Sequence, residues 1–238
     1  MRARSTLRPL DLRKLTDEEA RVLLSPAGFR DVRAVRRSLV RMAGGPGQMQ
    51  ALAGLLPHLL TRLAEVAGPD GVLVNLERFA ECVPDRLGLY RYLNEHPRAV
   101  EILVTLFAGS QFLTEILLRH PEYFESLTTP GRLASPKSAE QYLAEAQSSL
   151  PRPGGPPTGL DALRRFQRRE LLRIGACDLL GLFDLATVTI ELSNLADGLV
   201  QACLEMAAGE TGTAGRVFAV IAMGKLGGRE LNYSSDVD

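Results

Sequence analysis

Residues 217–238 read VFAVIAMGKLGGRELNYSSDVD, an apolar run followed by a glycine turn, a short polar connector and two aspartates. The run Val217 to Met223 has the length and apolar content of a buried strand, and Gly224 to Gly228 reads as the turn that follows it. The closing Asp236-Val237-Asp238 reads as the start of a second strand. Side chains alternate faces along a strand, so Asp236 and Asp238 are expected on one face, about 6 to 7 Å apart, with Val237 on the other.

Two carboxylates so placed suit a divalent ion. Magnesium prefers oxygen ligands and is commonly held by one or two carboxylates together with substrate phosphates, and paired ions can clamp both oxygens of an in-line displacement. Asp236 and Asp238 are therefore the candidate catalytic and metal-binding residues, with Mg²⁺ as the expected cofactor. Gly227 and Gly228 would let phosphate oxygens approach main-chain amides, and Ser235 would add a hydroxyl beside the carboxylates, which makes these three the candidate phosphate- or nucleotide-binding residues. Lys225 and Arg229 are positioned in sequence to offset phosphate charge. Ordinary turn chemistry accounts for either half of the pattern alone, and the combination favours a metal-dependent nucleotidyl-transfer site. A P-loop needs Ser or Thr after Gly-Lys, but Leu226 follows Gly224-Lys225.

Upstream, the sequence is helical. Thr16 with Glu19, and Ser138 with Gln141, have capping-box spacing, and Asp31 can cap a helix that stops at Gly44-Gly45-Pro46. Residues 48–67 form a long apolar stretch in which Pro57 predicts a kink or break. Further helices are expected over 72–83, 85–95, 97–108, 111–119, 159–180 and 185–208. The run Pro151-Arg152-Pro153-Gly154-Gly155-Pro156-Pro157 cannot continue a helix. It divides the chain into a helical region (1–150), a linker (151–158) and the first part of a second domain (159–238).

In the last long helix Val188, Leu192, Leu195, Leu199, Ala202, Cys203 and Met206 recur at three- and four-residue steps, with Asn194, Asp197, Gln201 and Glu205 opposite. This stripe is expected to cover the sheet that begins at Val217. In the preceding helix Arg164, Arg165, Arg168, Arg169 and Arg173 lie mostly on one arc, which suits phosphates or an acidic surface and, more simply, a solvated face. Glu170 falls toward the apolar side and calls for an arginine partner from another element.

At this point a resemblance becomes specific. FAVIAMGKLGGRELNYSSDVD is similar to the signature of the bifunctional glutamine synthetase adenylyltransferase and adenylyl-removing enzymes, and residues 107–127 (FAGSQFLTEILLRHPEYFESL) and 163–181 (LRRFQRRELLRIGACDLLG) resemble helical segments of that family. The resemblance implies a mainly α chain whose helical N-terminal region leads into an α/β nucleotidyltransferase domain of the polymerase β type, truncated at Asp238. Family members carry two catalytic copies, and Asn232 in the wording ELN resembles the N-terminal, adenylyl-removing copy. That copy is implied to use inorganic phosphate to remove AMP from a tyrosine of glutamine synthetase, releasing ADP, with Mg²⁺ as cofactor. The nucleotide, phosphate, glutamine synthetase and the PII signalling protein are the implied partners. A third carboxylate is expected from a later strand, so the chain reads as an inactive N-terminal fragment. The alternative is a helical docking module that binds glutamine synthetase or a PII-type regulator without catalysis.

Composition agrees. The chain has 28 basic and 28 acidic residues, which argues against general attraction to nucleic acid or anionic membrane. Cys82, Cys177 and Cys203 have neither disulfide-framework nor zinc spacing, and the latter two are expected in the core. His58, His96 and His120 are expected to be structural, and no Ser, His and Asp arrangement suggests a covalent hydrolase. With no apolar stretch near about 18 residues and no signal-peptide pattern, a cytoplasmic location is expected.

Overall fold

Every regular element in the computed structural model is helical, across the described residues 11–129, 131, 133–150, 159–212 and 218–237. They divide into two compact units, Met1–Thr128 and Thr129–Asp238. The expected linker at 151–158 lies outside the described residues.

In the first unit, Thr16 accepts the Glu19 amide while Glu19 accepts the Thr16 amide at 2.8 Å, which opens α1 (Asp17–Leu24) as its capping box predicts. Asp31 caps α2 (Val32–Ala43) through the Ala34 amide. This helix buries Val35, Leu39 and Met42 and turns arginines outward. The expected break at Pro57 does not occur. Helix α3 (Pro46–Leu63) runs through it, because Leu55, Leu56, Leu59 and Leu63 are buried on either side of the proline and their packing outweighs the lost hydrogen bond, about 3 kcal/mol.

Helices α4 (Pro69–Cys82), α5 (Arg86–Glu95), α6 (Pro97–Gly109), α7 (Gln111–Arg119) and α8 (Tyr123–Thr128) complete this unit among the described residues. Phe79 on α4 lies 6.0 Å from the Phe107 ring on α6 and 5.5 Å from Phe124 on α8, at the centre of the core. Buried Glu77 accepts from Ser38 and from Arg41, the latter at 2.8 Å. Burial opposes its charge, yet these donors prevail and hold the carboxyl below its usual range. His96 and His120 sit between helices, and His58 is exposed.

The second unit is built on α9 (Ala139–Ser149), α10 (Gly159–Leu179) and α11 (Leu185–Thr211), with α9 opened by the Ser138–Gln141 box. Here the apolar stripe of α11 meets a different partner from the one expected. Val188, Leu192, Leu195 and Ala202 are buried, and the helix packs chiefly on α9 and α10. Gly198 makes the α9 contact possible, since a Cβ there would come within 2.8 Å of the Leu143 amide nitrogen. Cys203 is exposed, contrary to expectation, because the contact face has rotated past it, whereas Cys177 is buried as expected.

The expected strands are absent from the described residues. Positions 218–223 carry no regular structure, with Phe218 71% and Ile221 80% exposed, and 235–237 form no ladder. A strand exists through its hydrogen-bonded neighbour, and no neighbouring strand lies among the described residues. Residues 218–223 carry the composition of a strand without, among the described residues, the pairing that would make them one.

Candidate functional site

The signature segment is folded onto α10 and α11. After extended Met223, Gly224 takes a left-handed conformation (φ 55°) and a single helical turn, α12 (Gly224–Gly227), follows. Leu226 and Leu231 are buried. Between them Arg229 is itself left-handed (φ 57°), a conformation that costs a non-glycine residue roughly 1 to 3 kcal/mol. Its guanidinium donates to Asn194 Oδ1 on α11 and lies 3.9 Å from Asp197. The Leu231 amide donates to Ser193 Oγ at 3.4 Å, and the Tyr233 hydroxyl donates to Asp178 Oδ2 on α10 at 3.0 Å. Burial and the neighbouring Asp178 carboxylate both push the Tyr233 phenol up.

The glycines serve the backbone in a way different from that expected. The left-handed positions are Gly224 and Arg229, and the amides of Gly227 and Gly228 are already used inside the turn, donating to Met223 and Gly224 carbonyls at 3.1 and 3.0 Å. Gly227 is required sterically, because a Cβ there would lie 2.5 Å from the Ala222 carbonyl oxygen. Ser235 likewise has a local partner, its hydroxyl donating to Asn232 Oδ1 at 2.8 Å. Asn232 Oδ1 also accepts the Ser234 amide at 3.0 Å, so this side chain ties the turn that leads to Asp236.

Asp236 is exposed, and Asp238 lies outside the described residues. Among the described residues no three His, Cys, Asp or Glu side chains come together as a metal site. The Asp236 carboxylate is the hard oxygen donor that magnesium takes, but a single carboxylate does not fix an ion. Lys225 is exposed on the short turn. An open cavity of about 320 Å³ runs beside this segment, lined by Glu140 and Leu143 on α9, Asp197 and Gln201 on α11, and Val220 and Leu226.

Beneath the segment lies a charged core that sequence reasoning found only in part. Glu170, buried as its helical phase implied, is bonded by Arg173 at 2.9 Å and by Lys137 at 3.0 Å. The partner from another element is a lysine where an arginine was expected, and the arginine, Arg173, comes from the same helix. Arg173 leaves the solvated arc and is itself buried, bonding Glu191 and donating to Tyr142, whose hydroxyl donates to Glu191 at 2.9 Å. Burial works against the Glu170 charge, but Lys137 and Arg173 hold its carboxyl below the usual range. For Arg173, burial is likewise outweighed by its anionic and phenolic partners, and its pKa rises. Asn194 links this core to the surface, its amide donating to the Lys137 carbonyl at 2.8 Å while its oxygen receives Arg229. The only sequence sign of the cluster was Glu170 out of phase with its helix; Glu191 and Lys137 gave none.

Residues 100–238 match the family model of glutamate-ammonia ligase adenylyltransferase. This chain belongs to that family. The glutamate-ammonia ligase adenylyltransferase match covers more than half of the chain, including all of α10, α11 and the signature segment. The family's name gives its chemistry as adenylyl transfer and its protein substrate as glutamate-ammonia ligase, that is, glutamine synthetase, so the chain belongs with the adenylyltransferases that regulate that enzyme. No helix of the described residues is long and apolar enough to cross a membrane.

Proposed function

We propose that this chain carries the opening of the adenylyl-removing nucleotidyltransferase domain of a cytoplasmic glutamine synthetase adenylyltransferase, with residues 159–238 as the first part of that α/β domain. The observation that supports this most is the fastening of the signature segment. Arg229, Leu231 and Tyr233 are anchored on α10 and α11, while Asp236 is left exposed at the end of a turn tied by Asn232. Asparagine at 232 is the feature that resembles the adenylyl-removing copy, and its side chain has a bonding role that glycine lacks.

In this reading Asp236 and Asp238 hold Mg²⁺, which when bound would offset charge on the phosphoryl oxygens. The chain's own part is positioning. Reaction by in-line displacement depends on the placement of phosphate against the adenylyl phosphorus, and the bonds to α10 and α11 fix where the stretch leading to Asp236 starts. Gly227 and Gly228 in the first turn and Ser235 in the second face phosphate in this reading. They reach a ligand only by exchanging the bonds they make within those turns.

The test is Asp236→Asn in the complete gene product, assayed for phosphate-dependent release of ADP from adenylylated glutamine synthetase. We expect a loss of at least about a hundredfold, with attachment of AMP from ATP retained. Loss of attachment with removal intact would reverse the assignment of the half. Retention of both would leave the docking-module reading in its place.

A further inference from the structure

The strongest feature outside the signature is a basic groove on the first unit, in a stretch that the family match does not cover. Arg13, Arg33, Arg36, Arg37 and Arg41 surround a groove of about 500 Å³ whose sole acidic lining residue among the described residues is Asp17. We infer that this groove is a docking site for an acidic segment of a partner protein, one presenting two or three spaced carboxylates.

The chemistry of the groove supports a carboxylate ligand. Asp17 already occupies part of it, accepting from Arg36 at 2.7 Å and lying 3.6 Å from Arg33. The groove therefore bonds one carboxylate of its own, and planar guanidinium groups are suited to carboxylate geometry. Arg41 is engaged by Glu77 from below, and Arg13 donates to the Gly44 carbonyl, a neutral partner. Arg37 is exposed and has no ion partner among the described residues.

Spacing decides between a compact and an extended ligand. Arg33 and Arg41 are eight residues apart on α2, about 12 Å along its axis at 1.5 Å per residue. Alternate side chains of an extended peptide are about 6 to 7 Å apart on one face, so three carboxylates span the arginine row. A single phosphate would meet only one end of it. Among the described residues the lining holds no aromatic side chain on which a base could stack, and the formal net charge of zero supplies no general attraction for nucleic acid. An acidic protein segment is the ligand these features share.

The experiment uses the 238-residue chain and a fluorescein-labelled decaglutamate peptide, followed by anisotropy at low salt. Wild type binds, and Arg33→Glu/Arg37→Glu weakens binding by at least about tenfold, the sum of two reversed exposed contacts. Arg91→Glu, an exposed position on α5, leaves it unchanged. Asp17→Asn removes the internal competitor and tightens binding about two- to fivefold. Circular dichroism melts check that each variant is folded, and Arg33→Gln and Arg37→Gln replace the double reversal if it is not. Absence of peptide binding to wild type, equal weakening by Arg91→Glu, weaker binding by Asp17→Asn, or tighter binding of a ten-nucleotide oligothymidylate than of the peptide would each overturn the inference.

Discussion

Replacing Arg173 with methionine removes the one cation that bridges both buried carboxylates of the second unit. Arg173 is 6% exposed, Glu170 2% and Glu191 1%, so solvent cannot take over the lost interactions. Breaking a buried pair by deleting one partner costs about 3 to 5 kcal/mol. Here each acid keeps something. Glu170 retains Lys137 at 3.0 Å and Arg169 at 3.3 Å, and Glu191 retains the Tyr142 hydroxyl and the Lys137 amide. The lower end, about 3 kcal/mol, is therefore expected. With a urea m-value near 2 kcal/mol/M this moves the midpoint down by roughly 1.5 M. Far-ultraviolet circular dichroism is the suitable probe, because the chain has no tryptophan.

The pH dependence gives a second reading of the same variant. In wild type the Glu170 pKa is lowered on folding, so its stabilisation is fully present above the unfolded value of 4.5 and is lost as pH falls through the folded value. In Arg173→Met one of the cations that favour the Glu170 charge is gone while its burial remains, so proton uptake relieves the variant as pH falls. The destabilisation is thus expected to shrink between pH 7 and pH 4.5, and Glu191→Gln added to Arg173→Met should recover about 1 kcal/mol at pH 7. A cost under about 1 kcal/mol at pH 7, or one that is flat with pH, would refute the account.

Gly198→Ala should also destabilise. Alanine is ordinarily the better helix residue by about 1 kcal/mol, but here its Cβ would meet the α9 backbone at 2.8 Å, and overpacking of about 1 to 3 kcal/mol is expected as a fall in Tm. A rise in Tm would show that the two helices can separate freely at that point. For the thiols, burial pushes Cys177 up to about 11, whereas Cys82 and Cys203 are exposed. A thiol-disulfide reagent at pH 8 should titrate two thiols in the native chain and the third only on unfolding; three prompt equivalents would contradict this.

Local rules were readable from the sequence where local residues are sufficient. Thr16 with Glu19, Ser138 with Gln141, and Asp31 each set a helix start through bonds spanning three residues, and all are present. Readings that depended on a distant partner fared differently. Val217 to Met223 has strand composition, but pairing is a property of two segments. The α11 stripe was visible, whereas its partner was decided by Gly198, whose bare backbone admits α9. Arg173 shares its arc with arginines that remain exposed, and only the placement of Glu191 eighteen residues later turns it inward. In the candidate site, the family and the exposed Asp236 were legible, while the anchors at Ser193, Asn194 and Asp178 were not. Those polar residues carry no motif of their own.

Arg229 is held left-handed by a helix some thirty residues earlier in the chain, and this divides the signature between two places. Half of its code is the contiguous text from Gly224 onward. The rest is written on α11, at Ser193 and Asn194, two polar side chains that the fold buries. A peptide of the signature alone would have no reason to keep the turn, and a transplanted signature would need its docking face to travel with it. Substitutions at 229 and 194 should accordingly be tolerated as a pair more readily than singly.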